Sequence, residues 1–407
     1  MLSELERPVA SKQRGQNGRT KLDQFWNRPT EPLSTAFDPR SNSIGLLRTV
    51  FALLVILSHS FPLGSLGIDW VVRFGQGQEV IGGVAVRGFF VLSGYLIATS
   101  YLKSDSIVRY LWQRALRVMP GFWVALLVVA FGFAPLMYWL QNDNSLSGFS
   151  LNSPTGPIDY IKSNFFLTMK QYEISGLTAN LPAPGAFNGS LWTLLYEAKA
   201  YLVLGVLGFF GILKNRRELV LGGSLLLFAL HLLGKVAPGG ITNLSPRFSD
   251  PQLITLLMSF MIGAVFRLYH EKIPIENRLG ILAILVYLAS LRYHFYEMSS
   301  PFIYTYVLLY LAVRLPFKKF GSRADLSYGI YIYAFPVQQT LAQLKFQRHG
   351  IYIFTALSAL LTIPLAFASY FIVEKPFLRL KNIGSGAPRS TAPGSGRSEV
   401  GSQQMAP

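Results

Sequence analysis

Two ionisable side chains, Arg48 and His59, stand inside the apolar stretch 44–63, IGLLRTVFALLVILSHSFPL. They are eleven residues apart, and eleven steps of about 100° return an α-helix to nearly the same face. At 1.5 Å per residue they sit roughly 16 Å apart along the axis, about half the hydrocarbon thickness of a bilayer. Ionisable groups in such a segment are costly and face a functional interior rather than lipid. One face therefore carries a permanent cation towards one membrane surface and a titratable base towards the other. A neutral imidazole in that position can take a proton from a hydroxyl as general base. The competing reading of His59 is a core histidine bonded to a backbone carbonyl, and that of Arg48 is a helix-end arginine that snorkels and sets topology.

Other candidates lie further along. Residues 82–97, GGVAVRGFFVLSGYLI, hold five small residues, Gly82, Gly83, Gly88, Ser93 and Gly94. They let a second helix or a ligand approach the backbone, and spacing alone favours helix packing. Arg87 in the same stretch needs an anion or a carbonyl as partner. In RYLWQRALRVMPGFW, 109–123, Arg114 and Arg117 are three apart and can share a helix face to grip phosphate or anionic lipid. Glu197, in SLWTLLYEAKAYLV, is an intramembrane carboxylate that could stabilise a protonated His59 or pair with Arg87. The remaining histidines, His231, His270, His294 and His349, fall near helix ends or in loops, which favours solvated or interfacial roles. No metal-ligand spacing such as HExxH occurs, so no metal site is expected, and the chain has no cysteine to serve as nucleophile or acyl carrier.

The elements that must hold these groups are membrane helices. Of 407 residues, 51% are hydrophobic and only 14% charged, against roughly 25% charged in soluble domains. Apolar runs at 44–63, 80–102, 120–140, 190–213, 218–234, 252–269, 279–295, 301–315, 326–344 and 351–373 predict an all-α, multi-pass membrane protein of about ten helices. With the N-terminus inside, 26 Lys/Arg fall on the cytoplasmic side and 8 on the other. That asymmetry predicts both termini in the cytoplasm, Arg48 near the cytoplasm and His59 near the outside. The net charge of +17 is spread over tails and alternate loops, which speaks against nucleic acid. Residues 1–43 and 381–407 read as disordered cytoplasmic tails around a 44–380 membrane domain. The long polar loop 141–189 reads as external, either covering an acceptor site or connecting passively.

These residues together resemble the acyltransferase-3 family, bacterial membrane enzymes that acylate surface polysaccharides, O-antigens and related glycans. The matching pieces are Arg48 and His59 in LRTVFALLVILSH, GFFVLSGYLI at 88–97, RALRVMPGFW at 114–123, SLWTLLYE at 190–197, LSYGIYIYAFPV at 326–337 and YFIVEKPFLRL at 370–380. The resemblance implies an O-acyltransferase of the bacterial inner membrane, with no bound cofactor. It implies acyl-CoA, most often acetyl-CoA, as cytoplasmic co-substrate, and a hydroxyl of an exported or lipid-linked glycan as acceptor. By similarity His59 is the catalytic base or proton relay and Arg48 is essential; Glu197, from its intramembrane position, is the third residue expected to be catalytic. Arg114 and Arg117 match a basic motif serving the donor, and Phe89, Phe90, Ser93, Gly94 and Arg87 complete the expected donor-binding set. Polysaccharide assembly proteins and the lipid bilayer are the further partners expected.

Two departures stand out. Many relatives carry a histidine just before the proline at 336, where this chain has Ala334 and Phe335. Many have an aspartate in place of Arg87. Besides the enzyme, a transporter or flippase for an acyl group or glycan, or a non-catalytic partner of an assembly complex, could use a charged interior of this kind.

Overall fold

The structure, a computed structural model, describes residues 26, 28–104, 106–236 and 250–382. Most of the expected N-terminal tail and all of the C-terminal tail beyond residue 382 lie outside the described residues. Among the described residues, ten long helices overlap the apolar segments: α1 (Ile44–Gly64), α2 (Ile81–Leu102), α3 (Ile107–Gln141), α4 (Thr193–Phe209), α5 (Arg217–Val236), α6 (Pro251–Leu268), α7 (Asn277–Arg292), α8 (Tyr296–Arg314), α9 (Ser327–Gln343) and α10 (Ile351–Arg379). Six of them, α1, α2, α3, α5, α6 and α10, are long and apolar enough to cross a membrane. The others stay under that threshold: α4, α7 and α9 are 16 or 17 residues long, and α8, at 19, opens on the polar Tyr296–Ser300 turn. Helix α3 begins thirteen residues before its predicted start, because the basic run from Arg109 to Arg117 continues the helix instead of preceding it.

Helices α1, α2 and α9 form the centre. Their cores meet at Ala52, Ile56, Ile330 and Ala334 on one side and at Phe51, Val55 and Tyr331 on the other. Helix α2 crosses α6 with backbones nearly touching: a Cβ on Gly94 would overlap the carbonyl oxygen of Phe260, and one on Gly263 that of Val91. Small residues here serve close helix packing. Helices α5 and α10 lie outermost, with apolar side chains such as Leu226, Leu360 and Ile372 exposed. Without water to receive them, such faces belong against lipid.

Residues 28–43, expected within a disordered tail, are ordered against the bundle. Glu31–Pro32 pairs antiparallel with Pro274–Ile275, Leu33 is fully buried, and the Ser43 amide donates to the carbonyl of Ala312 at 2.8 Å. At the opposite end the 141–189 loop folds around its own polar groups. Asn164 receives the amides of Lys170 and Gln171, and Glu173 accepts from the hydroxyl and amide of Thr178. Gln339 on α9 anchors this loop by donating to the carbonyls of Ala183 and Ala186.

Candidate active site

Helix α1 delivers Arg48 and His59 to two different chambers, as their spacing along one face predicts. His59 lines a cavity of about 850 Å³, whose walls also hold Asp69, Glu79, Arg87, Ser190 and His231. The buried Nδ1 of His59 has no hydrogen-bond partner among the described residues, so the imidazole is not tied to a backbone carbonyl through that nitrogen. Phe335 stacks edge-on against the ring, with centroids 5.1 Å apart.

Arg87, expected with the donor-binding arginines, lies in this cavity instead. Its guanidinium bridges Glu79 (2.8 Å) and Glu297 (3.1 Å) and sits over the Tyr296 ring. Glu297 also takes His231 Nε2 at 2.8 Å and Lys235 Nζ at 2.6 Å. A charge this deep persists only when paired, and these contacts pair it. His231, expected to be solvated or interfacial, is 4% exposed, with Nδ1 3.1 Å from the Thr255 hydroxyl. Its spacing of four from Lys235 puts both on one face of α5, a signal present in the sequence.

Arg48 opens on a second chamber of about 480 Å³ at the other end of α1, lined also by Ser93, Arg114, Arg117, Glu197 and Lys381. Arg48 Nε lies 3.3 Å from Asp325 and from the Ser327 hydroxyl. Arg117 reaches Asp325 at 2.9 Å and Glu374 at 3.3 Å. Burial works to raise the Asp325 carboxyl, but Arg48, Arg117 and the Ser327 hydroxyl hold it down to about 2. Arg114 and Lys381 have no carboxylate partner among the described residues, and the buried Arg114 Nε has no acceptor. The Arg114 guanidinium is held between the rings of Tyr110 and Tyr201, 6.0 Å from each. Fixed cations with free donors are what an anionic phosphate requires.

Glu197 belongs to this second chamber. It accepts the hydroxyl hydrogen of Tyr201 and stands with Arg48 and Arg117, not with His59 or Arg87 as its sequence position suggested. Helix α4 turns it away from the cavity that Ser190 and Trp192, just before the helix, line. Asp325 and Glu374, which anchor the arginines, escaped the sequence reading, since only the approach of α9 and α10 to α3 brings them there.

A narrow space of about 50 Å³ lies between the chambers, walled by Phe89, Phe90, Ser93 and Tyr331. It shares Val86 and Tyr331 with the His59 cavity and Arg48, Ser93, Arg117 and Glu197 with the basic chamber. Tyr331 is fixed by a 2.7 Å hydrogen bond with Thr193 and by the edge-on ring of Phe89. Phe89, Phe90 and Ser93 thus border this neck, while Gly94 turns into the crossing with α6.

Residues 41–373 match the acyltransferase-3 family, described as an acyltransferase domain. The chain is 31% identical over 346 residues to an O-acetyl transferase of Shigella phage Sf6, covering 83% of this chain and 96% of that protein. It is 26% identical over 365 residues to Nodulation protein 10 of Rhizobium leguminosarum bv. viciae, covering 84% of this chain and 94% of that one. No solved structure matches it.

Proposed function

We propose that this chain, which belongs to the acyltransferase-3 family and is a membrane acyltransferase, moves an acetyl group from acetyl-CoA to a hydroxyl of an exported or lipid-linked glycan. The observation that carries this reading is the row of three spaces: a basic chamber, a narrow neck bordered by Phe89, Phe90 and Tyr331, and a cavity holding His59. Arg114 and Lys381, free of carboxylates, take the phosphates of coenzyme A, with Arg48 and Arg117 held beside them by Asp325. The pantetheine arm, slender and uncharged, runs past Phe89, Phe90 and Ser93 and brings the thioester to the His59 side.

There the imidazole takes the proton of the sugar hydroxyl as its oxygen attacks the thioester carbonyl. The tetrahedral intermediate collapses with loss of the coenzyme A thiolate, which receives a proton, so the reaction is proton-neutral overall. All ten helices cross the bacterial inner membrane in this reading, with the basic chamber on the cytoplasmic side. Helices α8 and α9 are buried mostly in protein, α4 and α7 turn apolar side chains such as Leu202 and Leu282 outward to lipid, and the Lys/Arg asymmetry of the loops supports the orientation. The arrangement then draws donor from the cytoplasm and serves an acceptor towards the outside. A transporter that never transfers the acyl group does not fit a member of this enzyme family.

The test uses purified protein in nanodiscs with radiolabelled acetyl-CoA. Wild type should release coenzyme A and label a lipid-linked or soluble glycan pool; His59→Ala should bind donor yet label nothing, and Arg48→Ala should bind donor weakly. Equal consumption of acetyl-CoA by all three proteins would overturn the assignment.

A further inference from the structure

The His59 cavity carries an acceptor preference in its charges. Its two fixed cations, Arg87 and Lys235, are both engaged by carboxylates, Glu79 and Glu297. Asp69, 7% exposed on the same wall, receives only neutral donors: the Ser58 hydroxyl at 3.0 Å and the amides of Val71 and Ile81 at 2.8 and 2.9 Å. Among the described residues neither cation of this wall is left without a carboxylate, while Asp69 has no cationic partner. An anion entering would be desolvated beside Asp69 with no cation left to receive it.

A second observation points to the ligand itself. Ser190 Oγ is on the cavity wall, its residue is 1% exposed, and it has no hydrogen-bond partner among the described residues. With His59 Nδ1 it makes two unsatisfied polar atoms in one cavity. Buried polar groups left unpaired are expensive, and a hydroxyl-rich ligand satisfies both, as donor to the imidazole and as donor or acceptor to the serine. Trp192 supplies an adjoining aromatic wall.

We infer that the acceptor bound beneath His59 is an uncharged sugar, held through its hydroxyls by Ser190 and the cavity carboxylates, and that uronic-acid residues are excluded. This rests on the acyl-transfer reading above and names the substrate class of the same site. It makes Ser190 a substrate-contacting residue on the acceptor side, independent of donor binding.

The experiment offers the nanodisc enzyme radiolabelled acetyl-CoA and a mixed oligosaccharide pool. Half of the pool is neutral, and half is the same material oxidised at C6 to uronates, resolved afterwards by anion exchange. Label should enter the neutral fraction at least about tenfold faster, the scale of one unfavourable charge contact in a buried site. Asp69→Asn, which keeps an oxygen acceptor for the Val71 amide, should narrow that ratio. Ser190→Ala should raise the KM for the neutral pool and leave the KM for acetyl-CoA unchanged. Equal or greater labelling of the acidic fraction overturns the inference, as does coenzyme A release with neither fraction labelled. If no coenzyme A is released at all, acyl transfer itself is refuted. A Ser190→Ala protein indistinguishable from wild type removes the serine from the site.

Discussion

The Phe335 ring lies edge-on to the His59 imidazole, centroids 5.1 Å apart and planes at 73°, and it is itself backed by the main chain at Gly189. A Cβ on Gly189 would come 2.7 Å from the Phe335 ring. The chain entering α4 thus sets how far the phenylalanine can lean away from the histidine.

Substitution at either position should act through the imidazole's orientation. Phe335→Ala should lower kcat by about 2- to 10-fold, the range of an aromatic pair worth about 0.5–1.5 kcal/mol. The KM for acetyl-CoA should not move. Gly189→Ala should push the ring towards His59 and reduce kcat in the same way. Steady-state kinetics with a fixed acceptor decide this, and a change confined to donor KM would count against it.

Removal of His59 should affect chemistry alone. His59→Ala is expected to lower transfer by about 10²- to 10⁴-fold, the usual contribution of a positioned general base. Equilibrium binding of acetyl-CoA should stay within a factor of a few of wild type, measured by filter binding or calorimetry in nanodiscs.

Substitution of Arg114 should do the reverse. It has no carboxylate partner among the described residues, so Arg114→Ala forfeits charge-assisted bonds worth about 1.5–3 kcal/mol. Acetyl-CoA affinity should fall roughly 10- to 100-fold, and dephospho-coenzyme A derivatives should show a smaller penalty if the guanidinium meets a phosphate.

Arg87 offers a different outcome, because it serves the His59 cavity and not the basic chamber. Arg87→Ala leaves Glu79 and Glu297 short of a cation, and stranding buried charge in this way costs about 3–5 kcal/mol. A lowered Tm is expected, read by a thermal shift in detergent, while Arg87→Lys should keep donor KM near wild type.

The Asp325 clamp should be insensitive to pH across the working range. Its carboxyl is held down to about 2 from an ordinary 3.8, so its contribution to stability is complete above about pH 4 and fades only as pH falls through 2. Donor KM should therefore show no inflection from Asp325 between pH 5 and 9. Asp325→Asn, by loosening Arg48 and Arg117 together, should raise donor KM throughout that interval.

What the sequence made legible follows the reach of helical periodicity. Arg48 and His59 share a helix, so their common face and separation could be computed from residue numbers, and the apolar runs marked where the long helices lie for the same reason. Glu197 could be placed on a helix four residues from Tyr201, but not beside Arg48 and Arg117, since that depends on how α4 rotates against α1 and α3. Asp325 and Glu374 were invisible as site residues because neighbours far away in the chain give them meaning, and His231, though spaced four from Lys235, gains its role only from the approach of Glu297. The ordering of residues 28–43 rests on a two-residue strand whose partner lies more than 240 positions later, at Pro274–Ile275. No local pattern encodes such a pairing.

The neck between the chambers has one further consequence. Two polar spaces at opposite ends of a bundle would short-circuit an energised membrane if water ran between them, and each elementary charge leaking down 100 mV would dissipate about 2.3 kcal/mol. Phe89, Phe90 and the immobilised Tyr331 leave only about 50 Å³ between them, a gap that the thioester arm of the proposed donor would fill. Such an enzyme can reach through the bilayer while its interior remains an electrical insulator.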